Sequence, residues 1–136
     1  MSKKKVNEYM ERNKAFLEEV KAKEGVVELR GGVLCEYLQR GEGRGEVLPR
    51  SIVTCHYKGS LVSGKVFDDS YQRQCPEAFR VNELISGFQI ALLSMHIGDK
   101  VRAYIPSEMG YGTRGAGRDI PGHSTLIFEI ELIAIG

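Results

Sequence analysis

The sequence predicts an α+β fold: an antiparallel β-sheet folded over one short α-helix, with an extra helix at the N-terminus. Three observations carry that expectation. β-type runs dominate the chain after Gly25 and are separated by Gly and Pro punctuation. Only one short helical period lies among them, and many strands with one central helix are the pattern of a segregated α+β domain. Gly is also abundant, at 16 of 136 residues against the ~7% usual for globular chains, which favours tight turns over long helices.

Residues 7–22 read as the first helix. Tyr9, Met10, Phe16, Leu17 and Val20 recur at three- and four-residue spacing with Glu and Lys between them, and Gly25 is a natural stop. About four turns do not hold a helix in water on their own, so this one has to dock. Packing on its own domain is favoured over pairing with a second copy, because the stripe is short for a coiled coil and Asn13 interrupts it. The β-type runs follow at Val26–Leu29, Val33–Gln39, Ser51–Leu61, Val101–Ile105 and Thr125–Ile135. In the last of these Leu126, Phe128, Ile130 and Leu132 share one face, with Glu129 and Glu131 on the other. The central helix is expected over Leu84–Met95, with Leu84, Phe88, Leu92 and Met95 on one side.

Composition excludes several function classes. Hydrophobic residues make up 42% and charged residues 27%, so the chain is globular rather than disordered. Nineteen Lys and Arg against 18 Asp and Glu leave +1, so no overall field draws in nucleic acid or an acidic membrane. No apolar run is long enough for a transmembrane helix. The basic start Met1–Lys5 leads into Val6-Asn7-Glu8-Tyr9 rather than an apolar stretch, so no signal peptide is expected. Cys35, Cys55 and Cys75 are an odd, sparse set without a C-x-x-C pair, which fits a reducing compartment. The expected location is cytoplasmic, with an exported form as the alternative if a leader has been removed.

Several apparent motifs fail on chemistry. Gly59-Ser60-Leu61-Val62-Ser63-Gly64-Lys65 matches a phosphate-binding loop until Val66 stands where Ser or Thr would hold magnesium. Gly110-Tyr111-Gly112-Thr113-Arg114-Gly115 fits a dinucleotide fingerprint but runs into Ala-Gly-Arg-Asp-Ile-Pro, which forms no helix. Cys55 and His56 are strand neighbours pointing to opposite faces and cannot chelate one ion. His96 and His123 have no spaced partners, so the three histidines read as structural or solvent-facing and no metal site is expected. No nucleophile elbow of the G-x-S-x-G type occurs.

Aromatic and polar residues in irregular positions remain: Tyr57 ending a strand, Phe67-Asp68-Asp69-Ser70 opening a loop, Leu84-Ile85-Ser86-Gly87-Phe88 beginning the central helix, and Tyr111-Gly112 in a loop that closes at Ile120-Pro121-Gly122-His123. Taken singly, each aromatic reads more readily as core. In order and spacing, these segments resemble the FKBP-type peptidyl-prolyl cis-trans isomerases. Val53–Leu61, Gly64–Ser70, Met95–Lys100, Ile105–Gly112 and Ile120–Phe128 extend the resemblance over residues 33–136. The preceding helix, running through Gly25-Val26-Val27 to Gly32-Val33-Leu34, is similar in layout to the Mip-like bacterial branch.

That resemblance implies a twisted antiparallel sheet wrapped around one helix, divided into an N-terminal helical arm (1–24) and an isomerase domain (25–136). It implies that Tyr57, Phe67, Asp68, Ile85 and Tyr111 form the catalytic set and that Leu84, Phe88, Ile120 and Phe128 bind substrate. The Ile85 N–H and the Tyr111 hydroxyl would hold substrate carbonyls, Asp68 would form a polar edge with Arg73 beside it, and no cofactor would be needed. The implied partners are proline-containing peptides, unfolded protein clients and macrolides such as tacrolimus or rapamycin. The chain departs from the family pattern at three places. Phe88 replaces the tryptophan common at the pocket floor. Glu77 stands where relatives often carry an aromatic, with Phe79 nearby as a partial substitute or as core. Arg114, Arg118 and Asp119 charge the loop before Ile120. The competing class is a proline-segment binding or chaperone module with little turnover, which Glu77 and Phe88 favour and the retained Tyr57, Phe67, Asp68, Tyr111 and Ile120 oppose.

Overall fold

Ser2 decides where the first helix begins. Its side chain accepts a hydrogen bond from the Lys5 N–H and caps helix α1, which runs Lys3–Lys21, in a computed structural model that describes residues 2–136. The helix therefore starts four residues earlier than the apolar periodicity indicates. A capped first turn satisfies a backbone donor that would otherwise be orphaned, and this outweighs the unfavourable placing of three lysines at the positive end of the helix dipole.

Seven strands follow in one antiparallel sheet: β1 (Val27–Glu28), β2 (Leu34–Gln39), β3 (Ile52–Leu61), β4 (Val66–Asp69), β5 (Glu77–Arg80), β6 (Lys100–Ile105) and β7 (Leu126–Ile135). The spatial order is β1-β2-β6-β7-β3-β4, and β5 also pairs with β3. Sequence periodicity missed β4 and β5. Val-Phe-Asp-Asp and Glu-Ala-Phe-Arg carry weak strand signals, and both are strands because β3 is long enough to template them. Val53 and Thr54 pair with Phe79 and Ala78, whereas Lys58 and Gly59 pair with Asp69 and Asp68. Phe67-Asp68-Asp69, expected to open a loop, is thus a paired edge strand.

The eight-residue helix α2 (Ser86–Leu93) lies across one face of this sheet with Gly87, Phe88, Ala91 and Leu92 buried. A Cβ on Gly87 would run into the Ile105 side chain, so glycine sets how closely α2 approaches β6. The expected alternation of β7 is observed. Leu126, Phe128, Ile130 and Leu132 are buried in the main core, each contributing roughly 1.5–3 kcal/mol of burial. On the other face Glu129, Arg102 and Glu36 form a cross-strand row, with Arg102 bonded to both carboxylates at 3.0 Å.

Helix α1 covers that other face. Leu34, Tyr104 and Ile127 alternate with residues of the main core and so point away from it; they pack against Val20, Phe16 and Leu17. The helix thus docks on its own chain. Its stripe is continued rather than interrupted by Asn13, which is 4% exposed. Asn13 Nδ2 donates to the Tyr9 carbonyl at 2.8 Å, and Oδ1 accepts from the Thr125 N–H at 2.7 Å. A polar residue on an apolar stripe is tolerated because both ends of its amide are satisfied.

Candidate functional site

The face of the sheet that packs with α2 gathers aromatic rings from four elements. Tyr57 comes from the interior of β3 and not from a strand end, because the strand stays paired through Leu61, with inward-facing residues alternating Val53, Cys55, Tyr57, Gly59 and Leu61. Phe128 comes from β7, Phe67 from β4 and Phe88 from the first turn of α2. The Phe88 ring meets Phe128 at 5.0 Å between centroids and Tyr57 at 6.0 Å, both edge to face. Phe67 meets Phe128 at 5.6 Å in the same manner. Edge-to-face contacts at these separations hold rings in fixed mutual orientation beyond what area burial alone gives. Phe79 joins the set, with its ring 5.6 Å from Tyr57 and 6.1 Å from Phe88, and it packs against the main core as well.

Gly59 leaves the room for this cluster. A Cβ there would come within 2.7 Å of the Phe67 ring and 2.8 Å of the Phe128 ring. Periodicity did not single out this residue, because an inward glycine in a strand looks like a gap in the pattern.

A polar edge adjoins the rings. The Tyr57 hydroxyl donates to Asp68 Oδ2 at 2.6 Å, and Arg73 binds Asp68 Oδ1. The guanidinium also reaches the Tyr57 oxygen at 3.3 Å and Glu77 at 3.2 Å. Arg73 therefore lies beside Asp68, as the family resemblance implied, and Glu77 is the outer partner of the same guanidinium. Burial alone would raise the Asp68 carboxyl, but the Tyr57 hydroxyl and the guanidinium outweigh it and hold the carboxyl below its ordinary value. Burial and the Asp68 hydrogen bond push the Tyr57 phenol up to about 12, so it remains a donor across the neutral range. Ser70, fully buried, orders the strand behind: its Oγ accepts from the Tyr57 N–H at 2.7 Å. Ser70 belongs to the Phe67–Ser70 segment singled out in the sequence, but this role was not legible there, since a hydroxyl that ties two strands together follows no period.

Both oxygens of Asp68 are engaged by donors, and no cluster of three His, Cys, Asp or Glu residues able to hold a metal exists among the described residues. Burial pushes the Cys35 thiol up to about 11 and the Cys55 thiol up to about 12, which makes both inert packing groups. His56 turns away from Cys55 and stacks on Tyr71, with ring centroids 4.4 Å apart.

Leu84 and Ile85 lie at the entrance to α2, half-buried against the same core, and Ile120 is buried in it. Ile85 is the N-cap residue of α2, with extended backbone. Its N–H meets no acceptor among the described residues, which leaves it free for one from outside. Tyr111 differs from the buried ring residues in its exposure. It follows the 3₁₀ turn Ser107–Met109, is 39% exposed, and its hydroxyl has no partner among the described residues. Its loop is closed by the Gly112 carbonyl accepting from the His123 N–H and by a bridge between Ala116 and Ile120.

A sheet curved over one helix, lined by rings and edged by one oriented carboxylate, defines an apolar binding domain with few polar groups. Residues 43–133 match the family described as FKBP-type peptidyl-prolyl cis-trans isomerase, and the chain belongs to that family. An FKBP-type 22 kDa peptidyl-prolyl cis-trans isomerase of Escherichia coli is 43% identical over 88% of this chain and 58% of its own length. The peptidyl-prolyl cis-trans isomerase Mip of Coxiella burnetii is 38% identical over 92% of this chain and 54% of its own. The chain thus spans little more than half of these two relatives. Among solved structures, a peptidyl-prolyl cis-trans isomerase from Pseudomonas syringae superposes with a TM-score of 0.88 at 40% identity, covering 96% of both chains. FkpA from Escherichia coli superposes with a TM-score of 0.90 at 32% identity, covering 97% of this chain and 61% of that one. The α+β fold expected from the sequence is the fold of these isomerases.

Proposed function

We propose that this chain is a peptidyl-prolyl cis-trans isomerase that acts on X–Pro bonds and assists protein folding. The observation that carries the reading is the convergence of Tyr57, Phe67, Phe88 and Phe128 on one apolar floor beside an oriented Asp68. Rotation about a peptide C–N bond costs about 18–20 kcal/mol because resonance is broken. Uncatalysed X–Pro exchange accordingly takes tens of seconds or more. The twisted amide has a less polar carbonyl than the planar one and loses less on leaving water. A dry aromatic floor therefore binds the twisted form better, which is catalysis by differential binding. A thousandfold effect needs only about 4 kcal/mol of such preference.

In this reading Tyr57, Phe67, Phe88, Ile120 and Phe128 enclose the prolyl ring, with Leu84 at the rim. The Ile85 N–H and the Tyr111 hydroxyl take substrate carbonyls, and Asp68 faces the twisting amide. The reaction needs no metal, nucleotide or covalent intermediate. The partners are proline-containing peptides and unfolded clients, and macrolides such as tacrolimus compete for the same floor. An arm of residues 1–24 and an isomerase domain of residues 25–136 belong to the same proposal, as does a cytoplasmic location, with which the exposed free thiol of Cys75 is compatible.

A protease-coupled isomerization assay on a short X–Pro peptide tests it. Acceleration that tacrolimus abolishes is the expected result. Saturable peptide binding without acceleration would replace the enzyme by a proline-binding module.

A further inference from the structure

We propose that helix α1 is a positioning element of the site, in which Asn13 and Tyr9 fix the base of the loop that carries Tyr111 and Ile120. The inference rests on the isomerase reading for its catalytic consequence, though not for its geometry. The lower half of α1, through Phe16, Leu17 and Val20, packs on the sheet. The upper half touches something different. Asn13 Oδ1 accepts from the N–H of Thr125, a residue 1% exposed at the point where the loop enters β7. One turn earlier, the Tyr9 hydroxyl meets Ser124 Oγ at 2.6 Å, and Ser124 Oγ donates to the Pro121 carbonyl at 2.7 Å.

The loop above is a closed unit. His123, with a left-handed φ of 67°, donates its N–H to the Gly112 carbonyl, and Ala116 and Ile120 exchange both backbone bonds. Such a unit moves as a body about its base, and its base is Ser124–Thr125. Tyr9 sets Ser124, Ser124 sets the Pro121 carbonyl, and the next residue back is Ile120. Without Asn13 the buried Thr125 N–H has no acceptor from α1, and the loop base must shift to find water. All proposed pocket residues lie after Gly25, so sequence alone suggests that residues 1–24 are dispensable for a short peptide. The clamp gives the opposite expectation.

The test uses the full chain with Asn13→Leu, which keeps volume and removes the acceptor, beside Val20→Ala, which weakens α1 packing without touching the loop. Loss of one buried hydrogen bond at a wall that binds substrate should raise KM for a short X–Pro peptide about three- to tenfold while kcat holds. Val20→Ala should lower the melting temperature and leave KM alone. In amide NMR spectra, the resonances of residues 112–120 should move in Asn13→Leu and stay in Val20→Ala. If Asn13→Leu costs stability only, with KM and the loop resonances at their wild-type values, the clamp is purely structural and the proposal fails. If the wild type does not isomerize peptides, the isomerase reading fails and the loop resonances alone decide the clamp. Should Asn13→Leu unfold the chain, Tyr9→Phe removes only a hydroxyl from a half-buried ring and must move the same resonances; unchanged resonances there overturn the proposal.

Discussion

The Tyr57 hydroxyl donates to Asp68 Oδ2 at 2.6 Å while the Arg73 guanidinium holds the other carboxylate oxygen. The carboxylate is thus fixed from two sides, by a residue of the apolar floor and by a half-exposed cation. This arrangement links the protonation of two groups to the stability of the fold, and the direction differs between them.

Asp68 is held below its ordinary value of 3.8, so the fold favours the ionised form. That contribution is complete above the ordinary value and is lost as pH falls through the lower folded value. Tyr57 is raised from 10.0 to about 12, so its protonated form is favoured. Its contribution is complete below the ordinary value and is lost as pH climbs from there through about 12. Thermal melts of wild type and Asp68→Asn should therefore differ at neutral pH and converge in acid, while Tyr57→Phe should flatten the alkaline limb. Parallel acid limbs would separate Asp68 from acid stability.

Arg73 reaches Asp68, Tyr57 and Glu77 at once. Removing it leaves Asp68 with the Tyr57 hydroxyl, whereas removing Asp68 leaves the guanidinium with Glu77. Asp68→Ala and Arg73→Ala should therefore be non-additive in kcat/KM, with Arg73→Ala mattering less once Asp68 is gone. Strict additivity would give the pair no more weight than an ordinary exposed ion pair.

What was legible in the sequence follows from what each residue's placement depends on. The faces of β7 and the existence of α2 are fixed by local period, and Leu126 to Leu132 alternate as written. β4 and β5 depend on a partner strand, and no local signal announces that Ile52–Leu61 is long enough to pair with both. Asn13 looked like a break in an apolar stripe because its acceptor role lies with Thr125, over a hundred residues away. The rings could be ordered along the chain by family likeness, but their edge-to-face geometry and the space left by Gly59 exist only in three dimensions.

That space is itself testable. A Cβ at position 59 would enter the rings of Phe67 and Phe128, and Phe128 is in turn packed edge to face on Phe88. Gly59→Ala should destabilise the fold by about 1–3 kcal/mol, as overpacking of a closed core does. It should also weaken binding of a proline peptide or tacrolimus, because the floor is displaced. Chemical denaturation and calorimetry read the two effects separately, and a neutral Gly59→Ala would mean that the rings yield freely and do not form a rigid floor.

Tyr111 offers the cleanest separation of binding from folding. Tyr57 is buried and bonded to Asp68, so changing it disturbs both. Tyr111 is 39% exposed, and its hydroxyl has no partner among the described residues, so the fold does not depend on that oxygen. The Tyr111 carbonyl still accepts from the Gly115 N–H, a bond that any residue at this position would keep. Tyr111→Phe should therefore leave the melting temperature unchanged. If the hydroxyl holds a ligand carbonyl, the same change should weaken tacrolimus or a proline peptide by about 0.5–1.5 kcal/mol, the net worth of one neutral hydrogen bond. In kinetics the loss should appear in KM more than in kcat if the carbonyl bond is equally strong in planar and twisted substrate, and in kcat if it tightens on twisting. Unchanged calorimetric affinity would remove the hydroxyl from the binding set and leave Tyr111 as an exposed ring on the loop.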